Sequence, residues 1–132
     1  MLNVNNCERS PEACTASLTS VGDALYAIGG KWKLKIIVGL IGHRRRFNEL
    51  QRIVTGISAK VLSNELKEME LNGFVRRIPV EDANHIMEYE LTDYSDTLSD
   101  VLHALTTWGK MHRQKITGRS MDIPAPQPAS VE

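Results

Sequence analysis

Ile57-Ser58-Ala59-Lys60-Val61-Leu62-Ser63-Asn64-Glu65-Leu66-Lys67-Glu68-Met69-Glu70-Leu71-Asn72-Gly73 carries two stripes at once. At helical period Val61, Leu62, Leu66 and Met69 make an apolar face that needs a core. Lys60, Ser63, Asn64 and Lys67 fall at i, i+3, i+4 and i+7 and make a second face, with two cations, a hydroxyl, an amide and no acid. Ser58 is placed to cap the first turn, and Gly73 sits where a helix stops in a left-handed turn. A helix that enters a DNA major groove needs this layout, because its N-terminal side chains reach base edges. The competing reading is an ordinary amphipathic helix with a solvated polar face.

Working outward, Phe47, Leu50, Ile53 and Val54 mark a short helix just upstream. Thr55-Gly56-Ile57-Ser58 is the turn between the two. Two short helices joined by a Gly-containing turn are a helix-turn-helix. Beyond Gly73 the period changes. Phe74 to Val80 is β-branched and basic, with Pro79 confining it to an edge or an end. Ile86 to Thr92 alternates, so the two runs predict a hairpin around Asp82-Ala83-Asn84-His85. Upstream, Leu18, Val21, Leu25 and Ile28 predict a helix that stops at Gly29-Gly30. A helix over 31–41, apolar around most of its circumference, is expected at the centre of the core. His43 to Arg46 reads as a basic connection. A last long helix, capped by Thr92, carries the seam Tyr94, Leu98, Val101, Leu105, Trp108 and His112, which Leu102 widens.

The chain of 132 residues has 16 cations and 16 acids and no net charge, which hides a strong asymmetry. Residues 31 to 77 hold eleven cations and four acids, a local balance of +7, and the remainder carries −7. Local charge sets the electrostatic footprint, so the middle of the chain suits a polyanion. No apolar run approaches the ~20 residues of a membrane span and the start is not a secretory signal, so a cytoplasmic location is expected. Two cysteines, Cys7 and Cys14, do not make a disulfide framework, and a reducing compartment is expected to keep them as thiols.

Chemistry-bearing patterns are sparse. Gly29-Gly30-Lys31 fails as a phosphate loop, since Leu25 and Trp32 stand where Gly and Ser or Thr are required. Trp32 reads as a core aromatic. The four histidines and two cysteines lack metal-ligand spacing, and no catalytic constellation is evident, so neither metal, cofactor nor enzymatic activity is expected.

In order and spacing, Ile28-Gly29-Gly30-Lys31-Trp32, Arg46-Phe47-Asn48-Glu49-Leu50, Gly56-Ile57-Ser58, Lys60-Val61-Leu62, Leu66-Lys67-Glu68-Met69-Glu70, Gly73-Phe74-Val75, Glu88-Tyr89-Glu90-Leu91-Thr92 and Leu105 through Trp108-Gly109 make one ordered set. With it the chain resembles the HxlR-type regulators, winged-helix transcription factors related to the MarR group, over about residues 18–112. The resemblance implies a homodimer on an inverted-repeat operator, with N- and C-terminal helices in the dimer contact. It also implies a response to oxidants, electrophiles or aldehydes, which several members sense through one cysteine before the first helix. Here the sequence departs. Thr19 holds the usual cysteine position, with Cys14 five residues upstream. The wing lacks the family's proline pair and has Glu81 and Asp82 at its base.

The expected protein is mainly α with a small β-hairpin wing (α+β), a winged helix-turn-helix over 18–117. A flexible arm over 1–17 precedes it and a disordered tail over 118–132 follows. Its expected role is sequence-specific DNA binding in transcription regulation, as a homodimer on a pseudo-palindromic site. The alternative is a winged-helix protein-interaction module without DNA. Ser58, Ala59, Lys60, Ser63, Asn64 and Lys67 are the expected base readers. Arg44, Arg45, Arg46, Arg76, Arg77, Asn84 and His85 are the expected phosphate and wing contacts. Arg46 also has a structural use open to it, tying the loop to a helix end. Val21, Leu25, Leu98, Val101, Leu102, Leu105 and Trp108 are the expected dimer contacts. Cys14 and Cys7 are candidates for a redox role or for none, and a small-molecule effector is the remaining candidate partner.

Overall fold

The computed structural model describes residues 10–81 and 86–118. Helix α1 spans Pro11–Ile28, α2 Lys33–Leu40, α3 Phe47–Ile53, α4 Ala59–Leu71 and α5 Ser99–Thr117. Strands β1 (Arg45–Arg46), β2 (Val75–Pro79) and β3 (Met87–Leu91) form one antiparallel sheet in the order β1-β3-β2. The fold is a winged helix-turn-helix: α3 and α4 are the paired helices, and β2 and β3 the wing.

The core collects Ile36, Ile37 and Leu40 of α2, Leu50 of α3, Leu62, Leu66 and Met69 of α4, and Phe74 and Val75 beyond it. In α2 and α4 these positions recur at three and four residues, so each of those helices turns one stripe inward. Fully burying one such side chain stabilises the fold by roughly 1.5–3 kcal/mol. α4 ends where the sequence predicts. Gly73 takes φ +84°, its N–H donates to the Glu70 carbonyl at 3.0 Å, and the Phe74 N–H donates to the Met69 carbonyl at 2.9 Å. This left-handed closure satisfies two terminal carbonyls and turns the chain directly into β2.

Several expectations need correction. Residues 11–17 are not a loose arm but the first turns of α1. The Ser10 Oγ accepts from the Ala13 N–H at 3.0 Å, and Pro11 stands at a first helical position, where its missing N–H costs nothing. Residues 1–9 of the expected arm and 119–132 of the expected tail lie outside the described residues; Gly118 itself closes α5 at φ +74°. The basic connection contains a strand: Arg45 pairs with Tyr89 and Arg46 with Glu88, which makes the hairpin a three-stranded sheet. Thr92 does not cap a long helix by its side chain. Its hydroxyl donates to the Gly73 carbonyl, and a 3-10 helix over Asp93–Leu98 intervenes before α5. Leu98 belongs to the chain's own core rather than to an exposed seam, and Leu102 packs partly against that core.

Candidate nucleic-acid interface

The α4 helix presents the two faces that its sequence describes. Leu62, Leu66 and Met69 are buried, while Lys60, Asn64 and Lys67 on the opposite side are exposed and Ser63 is half-buried. The Ser58 Oγ accepts from the Val61 N–H at 3.2 Å, so that hydroxyl caps the helix, with Ala59 exposed beside it. Lys60 and Lys67 make no ion pair among the described residues.

The arginines behave differently from one another. Arg45 Nε donates to the Gly39 carbonyl at 2.6 Å, tying β1 to α2. That is the structural task the sequence offered to Arg46. The Arg46 backbone N–H donates to Glu49 Oε1 at 2.8 Å, and its exposed guanidinium makes no ion pair among the described residues. Arg44 and Arg76 both bind Glu90, one on each carboxylate oxygen, at 2.8 and 2.6 Å. The Arg76 hydrogen bond is the largest influence on the Glu90 carboxyl, and together with Arg44 it outweighs the opposing effect of burial and holds that group below its ordinary pKa. Register puts this trio at the end of the sheet away from the hairpin tip, because Arg76 pairs with Glu90 whereas Pro79 pairs with Met87. Arg77 Nε contacts Glu70 of α4 at 3.1 Å. Asn84 and His85, expected on the wing, lie outside the described residues.

One ionic contact has no counterpart among the expected site residues. Lys33, at the start of α2, is only 9% exposed, and its Nζ lies 2.7 Å from Glu65 Oε1 and 2.9 Å from Glu68 Oε1. Burial by itself would lower the pKa of this ammonium. The hydrogen bonds and charges of the two glutamates outweigh it and hold the value above 10.5. A signal existed in the sequence. A lysine inside a helix apolar around most of its circumference must find an acid, and Glu65 and Glu68, three apart, share one flank of α4.

The helices at the two ends are exposed instead. Of α1 only Ile28 is buried; Leu18 and Leu25 are 70% and 63% exposed, and Val21 also faces outward. No residue of α5 is buried, and Val101, Leu105 and Trp108 are exposed, with Trp108 stacked on His112 at 4.7 Å. Trp32, expected in the core, is half-buried with Lys31 and Lys35 over its ring at 4.8 and 5.4 Å. A cleft of about 750 Å³ between α2, α3 and α5 is lined by Leu34, Val38, Ile53, Val54, Leu102 and Leu105. Cys14 is disulfide-bonded rather than a thiol, against expectation, and Cys7 lies outside the described residues. No group of three or more His, Cys, Asp or Glu is arranged to hold a metal among the described residues, and no helix there is long and apolar enough to cross a membrane.

A winged helix-turn-helix with a capped, outward basic and amide stripe defines a class of nucleic-acid-binding regulators. Residues 27–117 match the model of the HxlR-like helix-turn-helix family, and the chain belongs to that family. It is 35% identical over 104 residues to the HTH-type transcriptional regulator YtcD of Bacillus subtilis (strain 168), covering 79% of this chain and 82% of that one. Among solved structures it is similar to a MarR-family transcriptional regulator from Enterococcus faecalis V583. There the TM-score is 0.65 at 37% identity, over 77% of this chain and 93% of the other. It is also similar to the redox regulator HypR in its reduced form, with a TM-score of 0.68 at 32% identity, over 76% of this chain and 99% of the other. The chain is thus an HTH-type transcriptional regulator and not an enzyme.

Proposed function

We propose that the protein binds a pseudo-palindromic DNA operator as a homodimer, with α4 of each protomer in a major groove. The observation that carries this reading is the exposed Lys60, Asn64 and Lys67 stripe set opposite a fully buried one. Asn pairs bidentately with adenine and Lys with guanine, and Ser58, Ala59 and Ser63 complete the reading edge. Phosphate contact falls first on Arg46. Arg44, Arg76 and Arg77 enter the free protein already paired, so any phosphate they take displaces a carboxylate. Selection of bound sequences from a random DNA pool tests the reading. A two-fold symmetric site with half-sites about 10 base pairs apart supports it. Recovery of no sequence sinks it and favours a protein-interaction module.

Dimerisation is assigned to α1 with Val21 and Leu25 and to α5 with Val101, Leu105 and Trp108, apolar faces that the protomer does not cover. Large apolar side chains exposed along helix faces of a small domain mark an interaction surface. The same assembly offers two routes of regulation. Cys14 stands in the first turn of α1, so making or breaking its disulfide acts on the helix that carries the dimer contact. A small apolar effector has the α2–α3–α5 cleft, which adjoins Leu102 and Leu105. Operator affinity of wild type and Cys14→Ser, each reduced and diamide-oxidised, separates the two. A response confined to the wild type supports the thiol route, and equal affinity in all four samples removes it.

A further inference from the structure

All three acids of α4 are paired with cations that come from outside the helix. Glu65 and Glu68 share Lys33 of α2, and Glu70 binds Arg77 of β2. The lysines of α4 itself, Lys60 and Lys67, are left without an ion pair among the described residues, although Glu70 stands three residues after Lys67. Glu68 is four residues from Asn64, so the two are about 40° apart around the helix axis. An unscreened Glu68 would therefore stand at the edge of the stripe that faces DNA. We infer that Lys33 is a screening residue for DNA recognition: from a buried position behind α4 it draws Glu65 and Glu68 toward the body of the domain and cancels part of their charge.

Two features separate screening from bracing. The buried stripe of Leu62, Leu66 and Met69 already fixes how α4 sits on the core, so an ion pair is not required to hold it. The Glu68 side chain is also 60% exposed, which makes it a weak brace and a charge that DNA would feel. Lys33 is the better placed of the two screening cations. Arg77 is itself half in solvent and neutralises one acid, whereas the Lys33 ammonium lies within 3 Å of two.

This inference rests on α4 being the base-reading helix, and a graded set of charge variants tests it. The group Lys33, Glu65 and Glu68 carries −1. Lys33→Met makes it −2, Lys33→Met with Glu65→Gln and Glu68→Gln makes it 0, and the two glutamine changes alone make it +1. Screening predicts that operator affinity follows that order: the double glutamine variant is tightest, then the triple, then wild type, then Lys33→Met. Each step changes affinity by up to about tenfold and moves the slope of log affinity against log salt by about one. A brace predicts the opposite, with wild type tightest and the triple variant no better than Lys33→Met. That result overturns the inference. If circular dichroism shows Lys33→Met unfolded, the double glutamine variant decides alone: tighter binding than wild type supports screening and equal or weaker binding overturns it. Failure of the wild type to select any DNA is a separate result, which removes the base-reading assignment and not the ion pairs.

Discussion

The middle of the molecule and its two ends treat apolar side chains in opposite ways. Between α2 and β2, one apolar stripe of the helices is buried: Ile36, Ile37, Leu40, Leu50, Leu62, Leu66 and Met69 are almost fully covered, while Val38, Ile41, Ile53 and Leu71 lie off it and are exposed. In α1 and α5 residues of the same chemistry, at the same spacings, face outward. The chain by itself therefore completes its helix-turn-helix but leaves apolar faces of its terminal helices exposed, with Ile28 and Leu102 turned to the core. Apolar faces left open in this way mark an interaction surface. The contrast separates a part of the protein whose apolar stripe is covered within the chain from a part that, on the proposed function, a second chain covers.

The largest effects should come from exchanging the treatment of the two regions. Leu66→Ala opens a cavity in the covered region and is expected to cost about 2–5 kcal/mol in denaturant unfolding. Leu18→Ala removes a similar side chain from α1 and is expected to stay within about 0.5 kcal/mol for an isolated protomer. Equal losses would mean that α1 is covered within the protomer. Trp108→Glu places a charge on the α5 face and is expected to turn a sedimenting dimer into monomers that lose operator binding. A wild type that sediments as a monomer at micromolar concentration would end the dimer assignment.

Within the covered region, Asn64→Ala leaves the core intact and removes an outward amide. The expected loss is about 1–3 kcal/mol of discrimination at one base pair per half-site, read by competition among operator variants. Gly73→Ala forces a side chain into a left-handed backbone and is expected to cost roughly 1 kcal/mol in unfolding, without altering base preference. The smallest effect concerns Lys33. Its folded-state pKa lies above the ordinary 10.5, so its contribution to stability is fully present below that value and fades as pH rises through the folded value. Thermal unfolding in alkaline buffers should show a steeper decline for wild type than for Lys33→Met.

Much of the fold was legible because periodicity and end signals agree. The apolar repeat of α4, its Ser58 cap and its Gly73 stop each act over a few residues, so one chain segment contains all the information they need. The change from period 3.6 to period 2 after Gly73 made β2 and β3 readable for the same reason. Strand β1 was not legible, since two arginines have no strand pattern of their own and pair only because Tyr89 and Glu88 are brought beside them. The outward stripe of α4 could be named from sequence, while the roles of the arginines around it could not.

The sequence by itself determined which face of each central helix is apolar, where those helices begin and end, and that cations concentrate over residues 31–77. Only the tertiary structure decided which cations are available. It set Arg44 and Arg76 on Glu90, Arg77 on Glu70, Arg45 on the Gly39 carbonyl and Lys33 between Glu65 and Glu68. It also moved Leu98 from an outward seam into the core. The reason is one of range. A helix stripe or a cap is set by neighbours within a turn of chain, whereas the partner of a charge is set by which elements fold against it, here as far as 46 residues away.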